Sequence, residues 1–169
     1  MAQSNASTNK FQDEVAFEEE KNRFFAICRS GNIFEFMEAV PFIRNFRRLL
    51  SDYNHHGRLC IHDVARFDLN NAVMKIELLM NMGADVTARE SLTGDSLLHI
   101  AVSSKNYELA KWLCQNPRID TSAINYAYQT PYHLAFLLRD QKMMEIFKTN
   151  GVVCDDPVPS FCSGESYIL

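Results

Sequence analysis

The sequence predicts an all-α solenoid of about four stacked helix-turn-helix repeats, and two observations predict it. The phrase TPYHLAF at residues 130–136 repeats the phrase SLLHIAV at residues 96–102, so that His99 and His133 lie 34 residues apart. A more divergent copy, GRLCIHDVA at residues 57–65, places His62 37 residues before His99. Self-similarity at such a period is typical of helix pairs that bury their apolar faces only by stacking on neighbouring pairs.

Composition narrows the class of protein. The 169 residues are 47% hydrophobic, which is enough for one buried core. A net charge of −4 disfavours a nucleic-acid-binding surface, because such surfaces need clustered Lys and Arg. No apolar run reaches the length of a membrane span, and the polar N-terminal stretch has no signal-peptide core, so we expect neither membrane insertion nor export. Five Cys without a CxxC pair favour reduced thiols in a reducing compartment.

The repeated phrase marks the start of the first helix in each unit. Thr130 is a suitable N-cap residue, and Pro131 after it has its φ preset for the first helical turn. Ser96 stands at the same place one unit earlier. Leu59 occupies that place in the unit before, where it offers no capping side chain.

Two glycines mark the ends of second helices. Gly83 and Gly151 follow His62 and His133 by 21 and 18 residues, where the chain leaves the second helix and favours a positive φ. Each unit therefore consists of a helix, a turn and a second helix.

The N-terminal part contains a weaker first unit. Residues 24–40 look like a helix pair with a tight turn at residues 29–32, and the longer connection at residues 41–54 predicts an extra helical turn. About three additional residues within 66–73 predict a lengthened loop between the helices of the second unit. The predicted divisions are a mobile segment at residues 1–15, a repeat domain at 16–153 and a short tail at 154–169.

Three clusters could carry chemistry, but each has a more ordinary interpretation. The HHGRLCIH stretch at residues 55–62 contains zinc-ligand residue types without zinc-site spacing. Cys60 beside His62 could be a nucleophile, but a small apolar core residue is the simpler interpretation. The acidic run at residues 18–20 fits a solvated helix start. We therefore predict no catalysis, no metal and no cofactor.

The phrases TPYHLA at residues 130–135 and GADVTA at 83–88 resemble the signature of the ankyrin repeat. The resemblance covers residues 54–152 and implies an ankyrin-repeat solenoid with β-hairpin-like fingers, the connections from one repeat's second helix to the next repeat's first helix. In this family the repeated His bonds locally to fix the turn. The structural repeat residues are then His62, Gly83, Ser96, His99, Thr130, Pro131, His133 and Gly151.

Longer strings at residues 54–65, 77–102 and 123–136 are similar to the C-terminal repeats of the inhibitor-of-NF-κB proteins. The finger ARESLTGDS at residues 88–96, with an extra residue or two, is the most specific feature. The sequence resembles in particular the short viral ankyrin proteins of polydnaviruses, which parasitoid wasps carry.

This resemblance implies a non-catalytic protein that binds a host Rel/NF-κB transcription factor dimer and suppresses immune signalling. It would act in the cytoplasm of the host cell, with the nucleus as a second location, and without direct contact to nucleic acid or membrane. The candidate contacts lie in the exposed fingers and favour aromatic and Arg anchors. They are Arg58, Arg89, Glu90, Leu92, Tyr126, Tyr128 and Gln129.

The sequence also departs from the family. It contains neither the Asp-Ser-Gly-x-x-Ser phosphodegron nor a long acidic tail, and the early repeats that cover the Rel nuclear localisation segment have no recognisable counterpart. Masking of nuclear import therefore does not follow from the resemblance. The alternative function is an ankyrin adaptor or scaffold that binds another host protein, for example one that recruits a ubiquitin ligase.

Overall fold

The computed structural model describes the backbone of residues 2–155 and the side chains of residues 12–155. Within that range the regular secondary structure is helical, and β-strands are absent. None of these helices has both the length and the apolar composition of a membrane span. In chain order they are α1 (Ala2–Arg29), α2 (Ile33–Ala39), a 3-10 helix (Val40–Phe42), α3 (Phe46–Ser51), α4 (Cys60–Phe67), α5 (Ala72–Asn81), α6 (Leu97–Ser103), α7 (Tyr107–Gln115), α8 (Pro131–Leu137) and α9 (Gln141–Thr149).

The helices pair and stack as a solenoid. The pairs α4/α5, α6/α7 and α8/α9 correspond to the three repeats that contain His62, His99 and His133, and the first helices of these pairs pack against one another in order. Helix α1 packs on α4 and begins the stack. Because α6 has a neighbour on each side, every side chain from Leu97 to Val102 is buried.

The predicted helix ends are confirmed. Thr130 is the N-cap of α8, its hydroxyl accepts from the backbone N–H of His133 at 3.1 Å, and Pro131 is the first helical residue. Gly83 and Gly151 follow α5 and α9 with φ of 103° and 72°. A left-handed backbone at these places favours glycine, which has no Cβ to clash.

The N-terminal part differs from the prediction at one point. Helix α1 starts at Ala2, so the predicted boundary between residues 15 and 16 divides a continuous helix, and residues 2–15 have helical backbone. The extra helix α3 lies against α1 on both sides of this boundary: the Arg48 guanidinium pairs with Glu14 at 2.7 Å and covers the Phe17 ring at 3.5 Å. The mobility predicted for residues 1–15 stays a prediction.

The predicted turn and loop lengths agree with the structure more closely than the predicted N-terminal boundary does. Residues 30–32 separate α1 from α2, and the side chain of Asn32 caps α2. The extra helical turn predicted within residues 41–54 is present as α3. The loop between α4 and α5 spans residues 68–71, one residue more than the loop at 104–106, and the remaining extra residues lengthen α4 and α5 themselves.

The predicted β-hairpin-like fingers are not confirmed, because the described residues contain no strand. Neighbouring finger tips are joined by isolated backbone hydrogen bonds, Ser91 N–H to the Gly57 carbonyl at 2.8 Å and Tyr126 N–H to the Thr93 carbonyl at 2.9 Å. A β-ladder needs a repeating series of such bonds, and one bond between each pair of tips does not form one. The fingers are therefore stacked turns. Of the tail predicted at residues 154–169, the structure describes only residues 154 and 155.

A buried ion pair joins α1 to the repeats. Lys75 of α5 and Asp68 have no exposed side-chain surface, and the Lys75 Nζ lies 2.8 Å from a carboxylate oxygen of Asp68. The same ammonium donates to the carbonyl of Ser30 and lies 3.4 Å from the carbonyls of Ile27 and Cys28. It therefore satisfies carbonyls at the C-terminal end of α1, where a positive charge also favours the helix dipole.

Candidate protein-binding surface

Each repeated His holds its own repeat to the finger that follows. The Nδ1 of His62 accepts from the backbone N–H of Leu59 at 3.1 Å, and its Nε2 lies 3.1 Å from the Ala88 carbonyl. His99 makes the same pair of contacts with the Ser96 N–H at 3.3 Å and the Gln129 carbonyl at 2.8 Å. Because a backbone carbonyl accepts only, Nε2 carries the proton in both rings.

His133 continues this arrangement at the last repeat. Its Nδ1 faces the Thr130 N–H at 3.5 Å, and its Nε2 lies 3.1 Å from the Asp155 carbonyl. The predicted local bonding of the repeated His is therefore present, and its reach to a carbonyl beyond the second helix of its own repeat is a feature that the sequence did not predict. The Ser96 hydroxyl lies 2.9 Å from the His99 Nδ1, so Ser96 contacts the ring as well as standing at the N-cap position.

The electrostatics keep these rings neutral. Burial lowers the pKa of His62 and of His99 below the ordinary value of 6.5, although the hydrogen bonds to the Ala88 and Gln129 carbonyls oppose the change. A protonated ring would also turn a second N–H toward the backbone N–H that Nδ1 accepts. The neutral form is therefore the one that the finger geometry requires.

The finger tips share one turn. Asn54 and Asn125 open it: each donates its backbone N–H to the carbonyl four residues later, and each side-chain oxygen accepts two backbone N–H groups inside the turn. The tip at residues 90–95 closes one residue later, with the Glu90 N–H bonded to the Asp95 carbonyl at 2.9 Å. This is the extra residue that the finger sequence predicted.

The residue before the end of the turn has a positive φ. Gly57 has φ of 69°, and Tyr128 occupies the equivalent place with φ of 56°. A bulky side chain rarely adopts this conformation, which costs on the order of 1 kcal/mol or more. Tyr128 is 83% exposed, so no internal packing offsets the cost.

We define the finger surface as Leu92, Tyr126 and Tyr128. Leu92 is 68% exposed at its finger tip, and both tyrosines stand out from the next finger. The Tyr126 ring lies over Gly94, where a Cβ would come within 2.6 Å of it. Three predicted contact residues are therefore exposed together on adjacent tips joined by the bond from Tyr126 to Thr93.

Arg89 and Gln129 support this surface. The Arg89 guanidinium donates to the Ile124 carbonyl and lies 3.5 Å from the Gly94 carbonyl, so it ties two fingers together. Gln129 is half-buried, and its backbone carbonyl is the acceptor for His99. Both residues position the tips, and their side chains are partly accessible beside them.

Arg58 and Glu90 are not on the exposed surface, which corrects their assignment as partner anchors. Glu90 is 4% exposed and accepts from Arg66 at 3.0 Å and from the Thr93 hydroxyl at 3.0 Å. The largely buried Arg58 lies between Asp63 at 3.5 Å and Glu90 at 3.8 Å. Both therefore belong to an internal charge network under the fingers.

Sequence reasoning missed the other members of this network, Asp63 and Arg66. Burial raises the pKa of Asp63, while Arg58 and Arg29 lower it. Neither residue stands in a distinctive motif, since both occupy the first helix of a repeat where a polar residue normally faces solvent. No signal in a single sequence marks them.

The chemical alternatives find no support in the geometry. Cys60 is completely buried, and the rings of His55 and His56 contact each other at the surface at a tilt of 46°, with centroids 3.8 Å apart. Across the side chains described, no three His, Cys, Asp or Glu residues converge as metal ligands would. The cysteines at positions 28, 60 and 114 are free thiols.

Comparison with known proteins identifies similar chains. The ankyrin repeat family model matches residues 93–123. The I-Kappa-B like protein C1 of Microplitis demolitor bracovirus (isolate Webb) is 57% identical over 140 residues, which cover 83% of this chain and 80% of the relative. The G1 protein of the same virus is 48% identical with the same coverage, and the F1 protein is 49% identical over 79% of this chain and 82% of its own length.

Proposed function

Since the chain belongs to the family of I-kappa-B-like ankyrin-repeat proteins, we propose that it binds a host Rel/NF-κB transcription factor dimer and thereby suppresses immune signalling. The exposed finger surface is the observation that supports this proposal most directly. Leu92, Tyr126 and Tyr128 present apolar and aromatic groups on adjacent, hydrogen-bonded tips. Tyrosine is among the residues that dominate the energy of protein interfaces, and a loop pre-ordered by a rigid scaffold loses little entropy on binding.

The backbone strain at Tyr128 supports the same role. Gly57 shows that glycine satisfies this turn, yet the equivalent place in the finger before α8 carries Tyr128 at the expense of stability. Lys105 and Arg139 have the same φ in the turns between paired helices, so it is the combination of this strain with an exposed aromatic side chain that distinguishes Tyr128. The proposed action is non-catalytic, and it involves neither nucleic acid nor a membrane. It takes place in the cytoplasm of the host cell and, secondarily, in its nucleus.

The test is to replace Tyr126 and Tyr128 together by alanine. We expect the double variant to bind recombinant insect Rel homology dimers more weakly by about 2 kcal/mol or more, measured by isothermal titration calorimetry. The matched control replaces Met74 and Leu137, two exposed apolar residues away from the tips, by alanine and should bind as the unaltered protein does.

Two results would contradict the proposal. One is full affinity of the folded double tyrosine variant for every Rel dimer that the unaltered protein binds, which would remove the finger surface from the interface. The other is the absence of binding by the unaltered protein to any insect Rel dimer, which would leave the adaptor function as the better explanation.

A further inference from the structure

A groove lies at the N-terminal end of the solenoid, between α1, α2 and the 3-10 helix. Its volume is about 520 Å³, and Ile27, Ala39, Phe42 and Ile43 supply apolar lining. This volume falls within the range, roughly 300–1,000 Å³, of clefts that bury organic groups. The groove shares no residue with the finger surface.

Large apolar side chains are exposed at this end of the solenoid: Phe42 lines the groove, whereas Phe34 and Met37 lie on α2 outside its lining. Phe42 is 83% exposed and Phe34 is 73% exposed, and Met37 stands one helical turn after Phe34 on α2. The described part of the chain places no repeat before this helix pair, whereas α6 is buried from both sides. Terminal repeats of a solenoid normally present a polar outer face, so exposed aromatic residues here indicate a surface that another protein covers.

The charges at the rim indicate which protein. Arg23, Glu35 and Glu38 line the groove, and none of their charged groups makes an ion pair or hydrogen bond with another residue of the range 12–155. By contrast, Glu20 already accepts from the Arg44 N–H at 2.9 Å and from the Asn45 amide at 3.2 Å. Unpaired groups of both signs around an apolar centre allow a second copy of the same surface to place Arg against Glu under a two-fold rotation.

We propose that two copies of this chain associate through this end in a symmetric dimer. Phe42 of each copy enters the groove of the other, and Arg23 of each copy faces Glu35 and Glu38 of the other. The apolar groups supply the association energy, and the charge pairs set the orientation. The dimer leaves the finger surface of each copy available, so the proposal holds independently of which partner the fingers bind.

The first experiment measures mass against concentration by sedimentation equilibrium. We expect the unaltered protein to form a dimer at tens of micromolar, which is ordinary for a small specific interface. Phe42→Asp should be monomeric throughout this range. The control Met74→Asp, which places a carboxylate on another exposed apolar position, should dimerise normally. Far-ultraviolet circular dichroism establishes that each variant is folded.

The second experiment tests the two-fold pairing by charge reversal. Arg23→Glu alone and Glu35→Arg with Glu38→Arg should each abolish the homodimer, because like charges then meet twice in the interface. An equimolar mixture of the two variants should form a heterodimer. Of its two symmetry-related charge contacts, one has both signs exchanged and the other is native, so opposite charges face each other in both. A partner protein of a different kind would not produce this reciprocal rescue.

Three outcomes would overturn the proposal. The first is a monomeric unaltered protein up to about 100 µM. The second is a dimer that persists in folded Phe42→Asp, which would place the interface elsewhere. The third is failure of the two charge variants to combine although each is folded.

Discussion

At the scale of single residues, the first helices of two repeats begin with different N-cap side chains: one has a hydroxyl group and the other has none. Thr130 accepts a backbone N–H through its hydroxyl, and Leu59 at the equivalent position has no group that could do so. Both helices nevertheless begin at the same place, because His62 and His133 turn Nδ1 toward the backbone N–H of the N-cap residue. The hydroxyl therefore adds to a start that the His already specifies.

Thr130→Ala is expected to lower the free energy of unfolding by about 1 kcal/mol, because the N–H of His133 loses its acceptor. Urea denaturation followed by circular dichroism measures the change. Thr130→Ser is the control and should retain most of the stability, since it keeps the hydroxyl. Equal stability of the alanine variant and the unaltered protein would show that the hydroxyl contributes nothing to this helix start.

Residues with a local role were predictable from the sequence, and residues with a distant partner were not. Thr130, Pro131, Gly83 and Gly151 act within one turn of their own position, so their types alone indicate the structure. Glu90 was predicted to be an exposed finger residue, yet Arg66, 24 residues away, holds it inside. Only the stacking of two repeats brings these charges together.

At the scale of elements, the positively charged Lys75 of α5 holds the C-terminal end of α1 to the repeats. Lys75 contacts residues that lie 45 to 48 positions earlier in the chain. Its place in α5 looks like an ordinary polar position of an amphipathic helix, where a solvated lysine is the usual expectation. Because α1 ends against α5, the same ammonium instead becomes a fully buried link between the two elements.

Lys75→Met is expected to lower the free energy of unfolding by about 3 kcal/mol, because it leaves the Asp68 carboxylate buried without its cation. Adding Asp68→Asn should recover part of this loss, since the amide oxygen still accepts the N–H groups of Asn70 and Asn71. Urea titrations of both variants test the idea. A loss below about 1 kcal/mol in the single variant would show that this ion pair is dispensable.

At the scale of the whole molecule, the stack depends on neutral imidazole rings between successive repeats. A group with a lowered pKa in the folded state binds fewer protons there than in the unfolded chain, so its stabilising effect declines as the pH falls below its unfolded value. For His62 and His99 this decline begins near 6.5 and continues toward their lowered folded values. Asp63, whose pKa burial raises, acts in the opposite sense at lower pH.

The free energy of unfolding should therefore fall as the pH is lowered from about 7.5 to about 5.5. Urea titrations at intervals across this range measure the slope. His99→Gln should be less stable at the upper pH and should show a shallower decline, since one of the two buried rings with a lowered pKa is gone. A stability that is constant over the range would contradict the role given to these rings.

The composition of the whole chain leads to a prediction about regulation, which rests on the proposed function. Phosphorylation marks an inhibitor for destruction only through a short exposed motif that a ligase recognises, and these 169 residues contain no Asp-Ser-Gly-x-x-Ser. In stimulated insect cells we expect the protein to persist while the host inhibitor is degraded, with a Rel-responsive reporter remaining suppressed. Immunoblots of both inhibitors over time provide the measurement. Parallel loss of the two proteins would be the contrary result.

The links from each His to the following finger also constrain how the protein is made. The carbonyl partners lie 26 residues after His62, 30 after His99 and 22 after His133. A ribosome adds roughly 5–20 residues per second, so each newly synthesised repeat waits roughly 1 to 6 s before its ring can find an acceptor. Every repeat is thus completed by the chain that emerges after it, and folding during translation proceeds one repeat behind synthesis.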